Sequence, residues 1–347
     1  MIHRRIENLN IAEESEILSP DALKSQFRLA ENDIVKIMNW QRTVKFILDG
    51  TDPRLMIVVG PCSIHDPKAA IEYAQKLKSL SERVQDKIQL IMRVYFEKPR
   101  TAVGWQGLIN DPHLDHSFHI EEGLKIARRL LLEITRMDLP VAGEALDIVT
   151  PPYIQDLISY TAIGARTVES QSHRKMASGL TSAVGFKNAT WGDLDIAVHA
   201  IASARNPHNF VSINPEGHAS VIRTKGNDYG HMILRGGKQP NYSRKDIQEC
   251  IEKLRKNNLL PSIVVDCSHG NSLKKPERQG IVFRDLLDQI LEGNASIRGL
   301  MLESNLFEGS QSLTSQVEDL KYGVSITDAC IGWEETESLI LEAYGKL

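Results

Sequence analysis

The sequence predicts an α/β protein: a closed eight-stranded β/α (TIM) barrel with a helical N-terminal extension and one inserted β-hairpin. From about Leu55 onward, short apolar, β-branched runs alternate with amphipathic helical stretches, which is the rhythm of βα units and a parallel sheet. Eight such runs can be counted, the number that closes a barrel. The 347 residues suit one large domain of this kind with additions.

Residues 1 to 50 read as a helical arm ending in VKFILDG, and residues 51 to 347 as the barrel. The strands are expected at LMIVVGPC (55 to 62), IQLIMRVY (88 to 95), PVAGEAL (140 to 146) and AIGARTVE (162 to 169). The other four are AVGFKN (183 to 188), HMILRGG (231 to 237), SIVVDCSH (262 to 269) and IRGLMLES (297 to 304). Helix starts fall between them, with Asp66 before Pro67, Thr150 before Pro151, and Ser243 ahead of the run to Lys256. In IEEGLKIARRLLLEI, Leu124, Ala127, Leu131 and Ile134 form one apolar stripe, as a helix lying on a sheet requires. FVSINPEGHASVIRTKG (210 to 226) reads as the inserted hairpin, about 209 to 226, turned at Pro215, Glu216 and Gly217. Arm and hairpin are the expected places for subunit contacts or regulation.

A net charge of -4 argues against a nucleic-acid surface, so any anion binding must be local. The N-terminal segment lacks a signal peptide's apolar core and no run is long enough for a membrane span, so the expected compartment is the cytoplasm. Cys62, Cys250, Cys267 and Cys330 are too scattered for a disulfide framework.

The ends of the eight strands supply, in order, Cys62, Arg93, Glu144, Arg166, Lys187, Arg235, His269 and Glu303. Every one is a cation, a carboxylate or a soft metal ligand, at the barrel face where enzymes of this architecture keep their chemistry. Side chains two apart on a strand point the same way, so Gly60, Ile91, Ala142, Gly164, Gly185, Ile233, Cys267 and Met301 are expected as an interior layer beneath.

The charged layer sorts into two groups. Arg93, Arg166, Lys187 and Arg235, with Lys98 and Arg100 in the KPRT loop, would repel one another without anions, and guanidinium forks fit phosphate and carboxylate. Two anionic substrates would satisfy them, whereas the alternative pairs each cation with a neighbouring carboxylate. Cys62, His269 and Glu303, with Asp328 in ITDAC, offer thiolate, imidazole and carboxylate ligands. That set suits a divalent transition metal with an open substrate position rather than magnesium or calcium. Taken singly, a cysteine or histidine at a strand end is more often a packing residue, and convergence by topology is what favours the metal.

These residues lie in motifs that resemble the type I 3-deoxy-D-arabino-heptulosonate 7-phosphate (DAHP) synthases over nearly the whole chain. The motifs are GPCSIHDP (60 to 67), RVYFEKPRTAVGW (93 to 105), GLINDP (107 to 112), AIGART (162 to 167), ESQSHR (169 to 174), VGFKN (184 to 188), LRGGK (234 to 238), DCSHGNS (266 to 272) and ITDACIGWE (326 to 334). The resemblance implies condensation of phosphoenolpyruvate with erythrose 4-phosphate and release of phosphate, the first step of the shikimate pathway. By motif it assigns Cys62, His269, Glu303 and Asp328 to one divalent metal, with manganese first and iron, cobalt or zinc as alternatives. Arg93, Lys98, Ala165, Arg166, Lys187 and Arg235 would hold phosphoenolpyruvate. Lys98, Pro99, Arg100, Thr101 and Asp328 would receive the aldose phosphate, and Glu144 would orient the attacking water. Lys98 or a metal-bound water could supply the alkoxide proton, and Cys62 and His269 count with Lys98 and Glu144 as the catalytic set.

Departures from the family's pattern are Gln106 in GWQG, Ala145 in GEALD, and Ala189 and Trp191 in KNATWG. They sit beside the expected ligands and put affinity in question more than reaction type. The resemblance also implies a homodimer or homotetramer and feedback inhibition by an aromatic amino acid. The pocket would take Asp147, Pro151, Met176, Leu180, Thr181, Phe210, Ser212 and Val221, with Glu7 and Ile11 from a partner's arm. Ser212 resembles the phenylalanine-sensitive form, while DCSHGNS and KYGVS look more like the tyrosine-sensitive one, so phenylalanine is expected with tyrosine as alternative. Two competing functions are a related condensing enzyme for another aldose phosphate, such as arabinose 5-phosphate, and a non-catalytic aromatic-amino-acid sensor. The KPRT loop disfavours the first and the intact ligand set the second.

Overall fold

The computed structural model describes residues 8–100, 104–313 and 317–347. Eight parallel strands close the barrel: β1 (Leu55–Gly60), β2 (Ile88–Arg93), β3 (Val141–Glu144), β4 (Tyr160–Ile163), β5 (Ala183–Lys187), β8 (Gly230–Leu234), β9 (Ile263–Asp266) and β10 (Ile297–Glu303), with β10 returning to β1. The hairpin, β6 (Asn209–Ile213) with β7 (Ala219–Arg223), is a separate antiparallel pair inserted before β8. Its expected turn is present, with Gly217 at φ 85° and its N–H donating to the Asn214 carbonyl.

The outer layer is α3 (Pro67–Val84), α4 (Ile120–Arg136), the short α5 (Pro151–Ile154) and α6 (Gln171–Ala177), then α7 (Asp195–Ala204), α8 (Arg244–Lys256), α9 (Gln279–Leu291) and α10 (Trp333–Lys346). The expected α4 stripe is buried, and Leu124, Ala127, Leu131 and Ile134 join the cluster formed by the outward side chains of the strands, Ile57, Val59, Leu90 and Met92 among them. Inward side chains make a second cluster: Met56, Val58, Ile91, Ala142, Tyr160, Ala162, Ala183, Ile233, Val264 and Met301. Two helices precede the barrel, α1 (Pro20–Gln26) and α2 (Glu31–Asp49). Val44, Ile47 and Leu48 of α2 belong to the interior cluster, so the VKFILDG end of the arm closes the barrel floor. Burying each such side chain contributes about 1.5–3 kcal/mol. α1 rests on the hairpin turn, where the Asp21 N–H donates to the Pro215 carbonyl.

Two helix starts are as expected. Asp66 accepts from the Lys68 and Ala69 N–H groups, and Ser243 forms a capping box with Asp246. Thr150 differs. Its backbone is already helical and it caps nothing, because its hydroxyl donates to the buried Glu97 carboxylate at 3.1 Å.

Two strands also differ from expectation. β4 spans Tyr160–Ile163 rather than 162 to 169, since the chain turns at Gly164, whose carbonyl accepts from the Thr167 and Val168 N–H groups. Arg166 therefore reaches the mouth from a loop. β9 stops at Asp266, and His269 lies beyond it at φ 55°, so stepping back by two from His269 crosses a break in the strand. Cys267 consequently packs in the outer cluster and is no part of the interior layer. Asp266, two residues after the inward Val264, points inward instead.

Candidate active site

A cavity of about 390 Å³ opens at the C-terminal ends of the strands. Arg93, Lys98, Pro99, Arg100, Glu144, Ala165, Arg166, Lys187, Arg235, His269, Glu303 and Asp328 all line it, so the sequence's ring of strand ends converges on one space. Cys62 is fully buried at its wall. Thr101 lies outside the described residues.

On one flank, cations meet carboxylates. The Arg93 guanidinium is sealed from solvent, donating to Glu303 Oε1 at 2.8 Å and to the Pro61 carbonyl at 3.0 Å, and it stacks over the Tyr95 ring. Its Nη1 is buried without a partner among the described residues. Lys187 donates to Asp266 Oδ2 at 2.9 Å. The same carboxylate lies 3.0 Å from His269 Nδ1, leaving Nε2 directed at Glu303 Oε1, 3.6 Å away. Strand parity counted back from His269 misses Asp266, the residue at the centre of this group. Burial works against its charge, but Lys187 and His269 outweigh this and hold its carboxyl well below the usual range. Glu303 behaves likewise: burial opposes ionisation, yet His269, Arg93 and Lys98 bring its pKa down to about 2.

Donor atoms of Cys62, Glu303 and Asp328 lie within 4.8 Å of one another, and His269 Nε2 approaches from the Glu303 side. Bonds of about 2.0–2.3 Å to one ion require donors a few ångströms apart, which these positions meet with small side-chain adjustments. Sulfur, imidazole nitrogen and carboxylate oxygen together fit a divalent transition metal. Lys98 Nζ donates to Cys62 Sγ at 3.0 Å. Burial raises the thiol's pKa, Glu303 adds to that, and Lys98 opposes it. Burial similarly works against the Lys98 ammonium, but Cys62 and Glu303 outweigh it and its pKa is raised.

Three further cations around the mouth lack carboxylate partners among the described residues. Arg166 is exposed and touches only the Pro99 carbonyl at 3.4 Å, Arg100 donates to the Trp105 carbonyl at 2.7 Å, and Arg235 reaches only the Gly236 carbonyl at 3.4 Å. Burial lowers the Arg235 pKa; Asp266 opposes this and the like charge of Arg166 adds to it. A guanidinium remains charged regardless. Glu144 lies against Gly164, where an added Cβ would come within 2.3 Å of its Oε1, so a side chain there would make the carboxylate shift.

The chain has relatives along almost its whole length. The model of the DAHP synthetase I family matches residues 32–341. The chain belongs to the DAHP synthetase I family. It is 52% identical to the tyrosine-sensitive phospho-2-dehydro-3-deoxyheptonate aldolase of Escherichia coli (strain K12), over 99% of this chain and 96% of that one. It is also 52% identical to the phenylalanine-sensitive enzyme of the same organism, over 96% of this chain and 95% of that one. The structure of the Francisella tularensis phospho-2-dehydro-3-deoxyheptonate aldolase superposes with a TM-score of 0.94 at 46% identity, covering 97% of this chain and 98% of that one. DAHP synthetases are transferases of aromatic amino acid biosynthesis, and this chain is an enzyme of that class.

The residues expected to form a family effector pocket are brought together only in part. Phe210 and Ser212 lie on the half-buried face of the hairpin, beside α6, whose Ser178 hydroxyl bonds the Thr224 hydroxyl at 2.7 Å. Met176 is buried, Leu180 partly so, and Pro151 is buried in sequence-distant α5, while Asp147 and Thr181 are exposed. Val221 faces the opposite way and is 65% exposed; Ile222, paired across the hairpin with Phe210, occupies the inward face in its place. Ile11 is exposed and Glu7 lies outside the described residues. Of the departures, Gln106 and Trp191 are exposed and Ala145 and Ala189 buried, and Gln106 still fixes the Lys98 backbone through its carbonyl at 2.9 Å. Among the described residues no helix is long and apolar enough to cross a membrane.

Proposed function

We propose that this chain condenses phosphoenolpyruvate with erythrose 4-phosphate and water to give 3-deoxy-D-arabino-heptulosonate 7-phosphate and phosphate. The observation that carries this reading is one cavity lined both by a transition-metal donor set and by guanidinium groups that have no carboxylate partner among the described residues. Cys62, His269, Glu303 and Asp328 would hold the metal, manganese before iron, cobalt or zinc; when bound, it supplies Lewis acidity toward the aldehyde oxygen.

The chain's own groups account for the rest. Arg93 Nη1 is a buried donor awaiting an acceptor, and with Lys187, Arg166, Arg235 and the Ala165 backbone it forms a clamp for the phosphate and carboxylate of phosphoenolpyruvate. Lys98, Pro99, Arg100 and Thr101 receive the aldose phosphate, with Asp328 at its other end. Clamping both anions places C3 of the enol phosphate against the aldehyde carbon and converts a bimolecular encounter into a positioned one. Lys98, protonated beside Cys62, is placed to give the new alkoxide its proton. Glu144 holds the water that adds to C2 on the way to phosphate loss.

The test is phosphate release from the two substrates with manganese. No phosphate, or a rate untouched by chelator and by Cys62→Ala, would reject the reading. Arabinose 5-phosphate in place of erythrose 4-phosphate separates the related condensing reaction, and a chain that binds aromatic amino acids without turnover would be a sensor.

The finer reading of regulation is inhibition by phenylalanine, supported by Ser212 on the inward face of the hairpin; tyrosine is the alternative, since the tyrosine-sensitive relative is as similar to this chain as the phenylalanine-sensitive one. Assays with each amino acid decide it, and indifference to millimolar phenylalanine would reject it. A homodimer or homotetramer is supported by Ile34, Val35 and Met38 exposed along α2.

A further inference from the structure

Outside the mouth, a second cluster of metal-ligating side chains stands at the start of α4. The geometry points to a second, surface site for a divalent transition-metal cation such as zinc, formed by His113, His119 and Glu122. One ligand atom from each of the three lies within 4.8 Å of the others. His113 Nε2 is 3.0 Å from Glu122 Oε2, and the two imidazole rings stand edge to face with centroids 5.5 Å apart.

Residues six apart meet here because the loop doubles back. Leu114, His116 and Phe118 all adopt left-handed backbone, φ 62°, 62° and 53°, which brings His119 beside His113. The loop is anchored from below: the Asp111 carbonyl accepts from Trp105 Nε1 at 2.8 Å, and its carboxylate accepts from the His116 N–H at 3.3 Å. His119 occupies the N-cap position of α4, yet its ring makes no capping bond, so its nitrogens are not committed to the backbone. Competing cations are directed elsewhere. Lys125 pairs with Glu121 at 2.6 Å, and among the described residues Glu122 has no ion-pair partner except His113.

Two imidazoles and a carboxylate form the donor set that takes zinc, cobalt, nickel or copper in preference to magnesium or calcium. All three residues are exposed, so the side chains can close the last ångström around an ion and leave its remaining position to water. A bound ion would tie the 107–119 loop to the first turn of α4. That loop carries the Trp105 contact, and Trp105 in turn accepts from Arg100 at 2.7 Å, so the ion would stiffen the support of the aldose-phosphate loop. The site itself is independent of the proposed reaction.

The test is a zinc titration of the metal-stripped full-length chain by calorimetry and equilibrium dialysis. The wild-type chain is expected to bind two equivalents, His113→Ala/His119→Ala one, Cys62→Ala one, and the three substitutions together none. Glu122→Gln should weaken the second equivalent by at least about ten-fold. The three residues lie outside the mouth, so the double histidine variant should keep its circular dichroism spectrum and its phosphate-release rate with manganese. A wild-type chain whose single equivalent is lost in Cys62→Ala and kept in the double histidine variant, or a double histidine variant with unchanged stoichiometry and affinity, overturns the site. Loss of the Cys62-dependent equivalent alone would count against the mouth and leave this one standing.

Discussion

The two flanks of the barrel mouth hold the same kinds of residue in opposite states. On the β9 and β10 side, Arg93, Lys187 and His269 are each within ion-pair distance of Glu303 or Asp266, and the two carboxylates are buried. In the loops after β2 and β4, Arg100 and Arg166, and after β8 Arg235, touch backbone carbonyls only among the described residues, and Glu97 is buried with a threonine hydroxyl. Residue types alone allow mutual pairing or anion binding for these cations; pairing is made by Arg93 and Lys187, with Arg93 Nη1 still lacking a partner among the described residues, while Arg100, Arg166 and Arg235 make no carboxylate pair there. Paired groups fix a rigid wall with the metal donors in it. Groups without carboxylate partners have their charge available for something that arrives.

The largest expected effect comes from breaking the paired flank. Asp266→Asn removes the anion between Lys187 and His269 and leaves a buried ammonium uncompensated, at a cost of about 3–5 kcal/mol. It also takes the charged partner from His269 Nδ1, leaving the Ser268 hydroxyl at 2.6 Å. Urea unfolding should show that loss together with a collapse of the phosphate-release rate. Unaltered stability in Asp266→Asn would mean that the paired wall is not a structural unit, and the contrast between flanks would fail.

Arg235→Ala probes the open flank and should do the reverse. Its guanidinium makes one long contact to a backbone carbonyl, so folding stability should change by less than about 1 kcal/mol. Losing a charged hydrogen bond to a substrate anion is worth about 1.5–3 kcal/mol, or roughly 10- to 100-fold in kcat/KM for phosphoenolpyruvate. Steady-state kinetics beside thermal melts separates the two flanks directly, and a variant that loses stability with its KM unmoved would place Arg235 with the paired group.

The membership of the two flanks is largely legible in the sequence. Residue type and strand-end position are enough to collect Cys62, Arg93, Glu144, Lys187, Arg235 and Glu303, because a strand's period of two is rigid and the barrel forces strand ends together. The pairing is not legible, since which cation meets which carboxylate depends on register between strands far apart in sequence. Asp266 escapes for a local reason: its strand ends on it, and the left-handed His269 shifts the count by one. Thr150 shows the same limit, since its hydroxyl bonds a distant carboxylate instead of its own helix.

The smallest effect expected is also the most selective, because it concerns the same group in the two environments. Glu303 and Glu97 are both buried carboxylates, yet their pKa values move apart, to about 2 beside cations and to about 7 without them. For Glu97, burial is the main cause and the charge of Asp147 adds to it, against the Thr150 hydroxyl. A folded pKa above the unfolded one means the neutral form is what the fold favours. The associated stability is therefore present at low pH and lost as pH rises from about 4.5 through 7. Glu97→Gln keeps the hydrogen-bonding shape without the charge. It should match the wild type near pH 5 and exceed it above pH 8, by at most about 3 kcal/mol. Thermal melts across that range provide the measurement. A Glu97→Gln chain that is less stable than wild type at pH 8 would show that the ionised carboxylate has a cation partner, and that the open flank is less open than its geometry indicates.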